Sequence, residues 1–410
     1  MDLFHDNPML QGVRQMLGAF ARQMMRPIAI KHDQEESTPW DLMKAALTVG
    51  MSQTAVLDGR KRLTGIDEDP DPTRPRSQAR IGVVASEELA WGCAGIALAL
   101  GGSNLAASPI ARMGSEDQKQ EFRRLLKGND EHGHIKIAAM ALSEPGTGSD
   151  ISGLKTTARR DGDHWIIRGS KQWITNGRSA SAYVVWAQTD AGAGRAGVRG
   201  FLVARATPGL VPGKKETKLG IRASETAQVH FEDVRVHKDM MLGGAQPASG
   251  QAGGSTGGLA DTKKMLDSTR PAVGAQAVGI ARATYELLLD RVRGGSLHGT
   301  PMASHQHIMF ELAEMHMEIA ASRLLVHRAA WMADHHLDNV ADASAAKAHA
   351  ARTAQSVTSR AMVLLGEEAL EPGHPVEKWY RDAKIYDIFE GTGQIQRRII
   401  ARHLTGQNPT

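Results

Sequence analysis

Cysteine is nearly absent. Cys93 is the one cysteine in 410 residues, which excludes an internal disulfide and any cysteine-based metal cluster. Its flanks, WGCAGIA, read as packed helix, so a buried thiol is expected rather than a nucleophile. Long apolar runs are lacking too: stretches such as AGIALAL fall far short of the roughly 20 residues that span a bilayer. The acidic start, MDLFHDNPML, is not that of a signal peptide, so a soluble, cytoplasmic protein without membrane insertion is expected. Neither sign of charge dominates, because 49 Lys and Arg are interspersed with 45 Asp and Glu for a net charge of +4. That excess suits an anionic substrate but reads first as solvated surface, and no nucleic-acid partner is expected. The common nucleotide fingerprints are missing: no Gly-x-Gly-x-x-Gly opens a helix after a strand, and no Gly-Lys-Ser/Thr occurs. The pairs His305/His307 and His335/His336 lack a carboxylate or cysteine at ligand spacing, so no metal site is expected. There is no internal repeat.

What is present changes texture twice. With 41% apolar residues the chain can bury one large core or two to three ordinary ones. Residues 1–137 read as an all-helical domain, with apolar residues recurring at three and four and a charged, Pro-bearing loop over 59–78. Residues 138–245 change period and read as an antiparallel sheet module: Asp161-Gly162 is a hairpin dipeptide, and AYVVWAQ, GFLVARA and QVHFEDVRV have strand-like composition. A Gly/Ser-rich stretch, 243–264, reads as a flexible loop. Helices then take over to the end, in a C-terminal helical domain, 246–410. There Ile308, Leu312, Met315, Ile319, Ser322 and Val326 form the inward stripe of a bundle helix.

Three segments are candidates for chemistry. In RDAKIYDIFEGTGQIQRR a helical pattern breaks at Phe389-Glu390-Gly391-Thr392-Gly393. Glycines let that backbone turn tightly and approach a ligand, and a glutamate partly desolvated beside Ile388 and Phe389 has its pKa raised toward the range of a general base. The same spacing is also that of a surface loop between helices. In ALSEPGTGSD, Gly146-Thr147-Gly148-Ser149 can offer N–H groups and hydroxyls to a phosphate, or be a plain turn. In KQWITNG, Trp173 and Thr175 stand two apart on one strand face, which suits either a sandwiched ring or core packing.

Together with SEELAWGCAGIA, KLGIRASETAQVHFEDVRV, LDSTRPAVGAQAVGIA, HQHIMFELAEM and PVEKWYRDAKIYDIFEGTGQIQ, these segments resemble the flavin-dependent acyl-CoA dehydrogenases over nearly the whole chain. The resemblance implies an α+β fold with an N-terminal helical domain, a central antiparallel β-barrel and a C-terminal four-helix bundle. It implies oxidation of an acyl-CoA thioester to the trans-2-enoyl form with FAD as cofactor and an electron-transfer flavoprotein as acceptor. Glu390 would remove the α-proton while the β-hydrogen leaves as hydride to flavin N5. The backbone N–H of that glutamate and a flavin ribityl hydroxyl would meet the charge developing on the thioester oxygen, which accounts for a base placed at a helix break. Some relatives carry the base near LDSTRP, where this chain has Thr269. By the same resemblance Met140, Leu142 and Ser143 run along the isoalloxazine, Ser149 meets the pyrophosphate, and Trp173 and Thr175 pack at the ring. Thr392 and Gln394 touch the ADP portion, while Asp267, Arg270, Phe389 and Gly391 belong to the acyl-CoA site.

The resemblance departs from the family at two places. Gly295 stands where the family has an arginine that reaches the flavin pyrophosphate of a neighbouring subunit, and His298 where it has a phenylalanine. In VLLGEEA, Val363, Glu367 and Ala369 replace a glutamine and two glycines of a loop that also touches the neighbour's cofactor. Every element acting within the subunit is kept. A tetramer is expected, either a homotetramer or, with a small preference, a heterotetramer in which a related chain supplies the missing groups. An acyl-CoA oxidase and a non-catalytic partner subunit are the alternatives.

Overall fold

The computed structural model describes residues 7–48, 50–51, 57, 77–244 and 259–407, without the side chains of 152 and 259–268. The expected loop at 59–78 lies almost entirely outside the described residues. So do 245–258 of the Gly/Ser-rich stretch, whereas 259–264 are already helix, in contrast to the expected loop. The N-terminal helices are α1 (Pro8–Phe20), α2 (Arg26–Gln34), α3 (Trp40–Thr48), α4 (Gln78–Met113) and α5 (Glu116–Leu125). Local chemistry sets their starts. Asn7 caps α1 by accepting from the N–H of Met9 at 3.1 Å, and Ser115 with Gln118 forms a reciprocal capping box on α5. Helix α4 is long and apolar enough to cross a membrane by length and composition, but 72% of its most apolar window is buried inside the molecule, as for a core helix. Cys93 lies within it, fully buried and unpaired.

The strands β1 (Ala138–Ala141), β2 (Thr157–Asp161), β3 (His164–Thr175), β4 (Ala182–Gln188), β5 (Val198–Ala204), β6 (Leu210–Lys215) and β7 (Thr226–His237) form one seven-stranded sheet. The hairpin at Asp161-Gly162 is present: β2 and β3 pair antiparallel, with Gly162 at φ +58°. The sheet is mixed where an all-antiparallel one was expected. β1 runs parallel to β4, and β2 meets β4 by one parallel pair, Thr157 with Gln188. The reason is topological: β1 and β4 are not joined by a hairpin, so nothing forces the reversal of direction that one imposes.

The C-terminal helices are α6 (Leu259–Gly294), α7 (Gln306–Asp334), α8 (Val340–Leu365), α9 (Pro375–Ala383) and α10 (Gly393–Thr405). All six residues of the stripe read on α7 are buried. Its outer face keeps Phe310, Met317 and Leu324, seven residues apart, 61%, 53% and 53% exposed.

Charged groups tie the layers together. Arg282 of α6 donates to Glu87 and Glu88 of α4 at 2.7 and 2.8 Å, and Arg323 of α7 donates to Glu87 at 2.7 Å. Arg26 of α2 lies 3.8 Å from the ring of Trp91 and 4.6 Å from that of Trp379, a guanidinium between two indoles. Asp382 of α9 accepts from the N–H of Ile221, next to the sheet, at 2.5 Å, and from Lys378. These contacts fix α9, and therefore the segment after it, against the sheet.

Candidate active site

After α9 a short 3-10 stretch, Lys384–Asp387, leads into the break. There Glu390 and Gly391 adopt consecutive left-handed conformations, φ +54° and +90°. For glutamate this costs about 1–2 kcal/mol, and such backbone persists where the surroundings over-determine it. Thr392 then caps α10 by accepting from the N–H of Ile395 at 3.2 Å. The N–H of Glu390 makes no backbone hydrogen bond among the described residues.

The Glu390 carboxyl accepts from the hydroxyl of Thr269, on α6, at 3.0 Å. Burial raises its pKa, opposed by the Thr269 hydroxyl and then by the charges of Lys347 and Arg270. The residue as a whole is half-buried and lines a cleft. Arg270, itself buried, donates to Ser344 of α8 at 3.2 Å.

The cleft has a volume of about 1680 Å³ and lies between the sheet and the C-terminal helices. From the sheet side Met140, Leu142, Ser143, Ser149, Trp173 and Thr175 line it; from the helical side come Arg270, Phe389, Glu390, Gly391 and Thr392. Of the residues expected at a site, Gln394 is exposed and does not line this cleft. It follows the cap by two positions, so the first turn of α10 carries it away. Asp267 belongs to α6, but its side chain lies outside the described residues.

Trp173 owes its placement to a bulge. Between Lys171, paired with Val229, and Ile174, paired with Ala227, β3 carries one extra residue. Trp173 takes φ +63° there and leaves its side chain 59% exposed, facing the cleft. Simple alternation, which put Trp173 and Thr175 on one face, does not apply across a bulge, yet both still line the cleft. The neighbouring turn is pinned from beneath: Lys171 donates to the Leu142 carbonyl and to Glu144, each at 2.9 Å, and Glu144 accepts from the N–H groups of Lys155 and Thr156 at 2.7 and 2.9 Å. Burial opposes the charge on both partners. It pushes Lys171 down to about 8, while Glu144 is nevertheless held below the usual carboxylate range by Lys171 and these donors. Glu144 and Thr147 exchange backbone hydrogen bonds at 3.1 Å, so the segment is a tight turn, and it exposes Ser149 into the cleft.

Sequence reasoning missed Lys347 and Gln396, which lie behind the base, and Arg398 and Arg402, which line the cleft from α10. A signal for the first was available: a lone lysine in SAAKAHAA, where an alanine-rich helix packs closely.

Residues 77–128, 139–234 and 256–405 match, respectively, the N-terminal, middle and C-terminal domains of acyl-CoA dehydrogenase. The short-chain specific acyl-CoA dehydrogenase, mitochondrial, of Bos taurus is 38% identical over 395 residues, which is 96% of this chain and 89% of that one. The structure of butyryl-CoA dehydrogenase from Megasphaera elsdenii superposes with a TM-score of 0.86 at 32% identity, covering 98% of this chain and 100% of that one. A glutaryl-CoA dehydrogenase from Mycobacterium smegmatis in complex with FADH2 superposes with a TM-score of 0.85 at 26% identity, covering 98% and 96%.

Proposed function

This chain belongs to the acyl-CoA dehydrogenase family, FAD-dependent oxidoreductases of CH–CH bonds, and from that premise we propose that it converts an acyl-CoA thioester to the trans-2-enoyl-CoA with Glu390 as base. The observation that carries the reading is the Glu390 carboxyl: hydrogen-bonded to Thr269 at 3.0 Å, pushed up in pKa by burial, and open to a cleft of about 1680 Å³.

The cleft suits FAD on its own terms. It is large, holds an indole open on a bulge, and offers the hydroxyls of Ser143, Ser149 and Thr175 and the cations Arg398 and Arg402 for a ring system carrying a pyrophosphate. Met140, Leu142, Ser143, Ser149, Trp173, Thr175 and Thr392 would hold it, and Arg270, Phe389 and Gly391 would meet the thioester. When bound, FAD supplies the acceptor for the β-hydride. The rest falls to the chain. Glu390 takes the α-proton, so one C–H pair becomes the electrons of the new C=C bond and the other departs as hydride. The Glu390 N–H, which makes no backbone hydrogen bond among the described residues, is available to the thioester oxygen as charge develops there. Thr269 keeps the carboxyl aimed into the cleft.

An electron-transfer flavoprotein is the acceptor we assign, and butyryl-CoA is the first substrate to try, given the short-chain and butyryl names of the relatives. Glu390→Gln tests the base: a loss of about 10²–10⁴-fold in kcat with FAD still bound is expected, and unchanged turnover rules it out.

A second reading, a heterotetramer with a related chain, draws on the position of Gly295. A Cβ there would collide with the Arg291 guanidinium and stand 2.6 Å from the Arg291 carbonyl oxygen and 2.9 Å from the sulfur of Met302, so any side chain at 295 requires its surroundings to shift. On the expected partner loop Val363 is 78% exposed and Glu367 is exposed as well. Titration of the purified chain with FAD decides it: tight stoichiometric binding in a homotetramer excludes the heteromer.

A further inference from the structure

We propose that Lys347 and Gln396 are positioning residues that clamp the backbone carbonyls of Glu390 and Gly391 and so hold the base's break in its working shape; the proposal rests on Glu390 being the base. Lys347 Nζ donates to the Gly391 carbonyl oxygen at 2.6 Å, and Gln396 Nε2 donates to the same oxygen at 2.9 Å and to the Glu390 oxygen at 3.2 Å. Two successive carbonyls of a left-handed pair are thus held by side chains that reach them from two helices, α8 and α10.

The chemistry requires such donors. These carbonyls belong to no helix or strand, and a carbonyl held away from water without a partner is costly. Both donors are buried, Lys347 at 1% and Gln396 at 0% exposure. Gln396 works through its N–H side, since its Oε1 is buried without a hydrogen-bond partner among the described residues; the reversed amide would set oxygen against two carbonyl oxygens. Lys347 forms no ion pair among the described residues, although Asp387, Glu390 and Arg270 all act on its charge. Its direct partner is therefore the carbonyl.

The consequence is geometric. Peptides are planar, so fixing these oxygens fixes ψ of Glu390 and the peptide that follows it. With φ already set at +54°, the Glu390 backbone is determined on both sides. The side chain is then left to aim at the cleft and Thr269. Gly391 completes the device, because a Cβ there would stand 2.6 Å from Gln396 Nε2 and push the clamp open. Misplacement of a reacting group by about 1 Å costs about 100-fold in rate.

Lys347→Met and Gln396→Met, each with FAD bound, test this through two readouts besides turnover. The first is solvent deuterium wash-in at the α-carbon of 3,3-dimethylbutyryl-CoA, which has α-hydrogens and no β-hydrogen and so reports the base alone. The second is KM, which a positioning residue leaves within about 3-fold. We expect each variant to keep its fold and FAD and to lose about 10- to 100-fold in both kcat and wash-in. Their combination should lose less than the product of the two, since they hold the same carbonyl. Lys347→Arg, which keeps the donor and the charge, should recover most of the rate. Wild-type wash-in in either methionine variant overturns the clamp, and so does loss of folding in both, which would assign the pair to the fold. Glu390→Gln in the same assay separates the two ideas. Retained wash-in there fells the base and the clamp with it, whereas loss there beside wild-type rates in the methionine variants fells the clamp alone.

Discussion

Glu390 sits where burial opposes its charge while Thr269, Lys347 and Arg270 favour it, and the net effect is a pKa above the ordinary carboxylate value. As the proposed base it must be ionised to act, so on that reading activity is lost as pH falls through the raised pKa. The acid limb of the kcat profile is therefore expected above the usual carboxylate range near 4.5. Thr269→Ala removes the leading influence that lowers the pKa, so its acid limb should move to higher pH; movement to lower pH would contradict the assignment. Among the residues here, the break at Glu390 and Gly391 was legible from its glycines, whereas its chemistry was not: the pattern alone also fitted a surface loop, and the resemblance to the family singled out Glu390. Lys347 and Gln396 were not legible, because their partners are backbone oxygens distant in sequence for one and across a helix turn for the other.

At the scale of elements, the turn over 142–149 depends on a buried pair, Lys171 and Glu144, with side chains 0% and 4% exposed. Lys171→Met leaves that carboxylate without its cation and should destabilise the protein by about 3–5 kcal/mol, read by urea unfolding. The double change Lys171→Met with Glu144→Gln should recover part of the loss, because no buried charge is then stranded. Gly391→Ala should slow turnover without unfolding the protein: the left-handed φ of +90° costs alanine about 1 kcal/mol and its Cβ meets Gln396. The stripe of α7 and the Asp161-Gly162 hairpin were legible, since each is a local period or dipeptide. The bulge that presents Trp173 was not, because an extra residue exists only relative to a partner strand, β7.

For the whole molecule, acid should loosen the joint between α4, α6 and α7. Burial depresses His327 to about 4, and Glu87 is held at about 2 by Arg323 and Arg282 against the cost of burial. Both folded pKa values lie below their ordinary values of 6.5 and 4.5, so the unfolded chain binds more protons in each window. Stability is thus fully present above pH 6.5, falls as His327 resists protonation down to about 4, and falls again from 4.5 toward 2 with Glu87. Urea unfolding at pH 7 and pH 5 checks this, and His327→Gln should flatten the slope between them. The exposed Phe310, Met317 and Leu324 belong to this scale too. They form an exposed apolar face, and if the proposed tetramer uses it, Phe310→Ser should shift the protein toward smaller species in sedimentation.

The sequence by itself determined the order helix, sheet, helix, because periodicity and turn residues are local patterns that survive in one dimension, and its ordered motifs determined the family and with it the cofactor class. Only the tertiary structure decided that β1 runs parallel to β4, that Trp173 rides a bulge, that Gln394 turns away from the cleft, and that Lys347 and Gln396 grip the break. Each of these is a relation between segments far apart along the chain or between a side chain and a backbone oxygen, and packing, not local propensity, sets such relations.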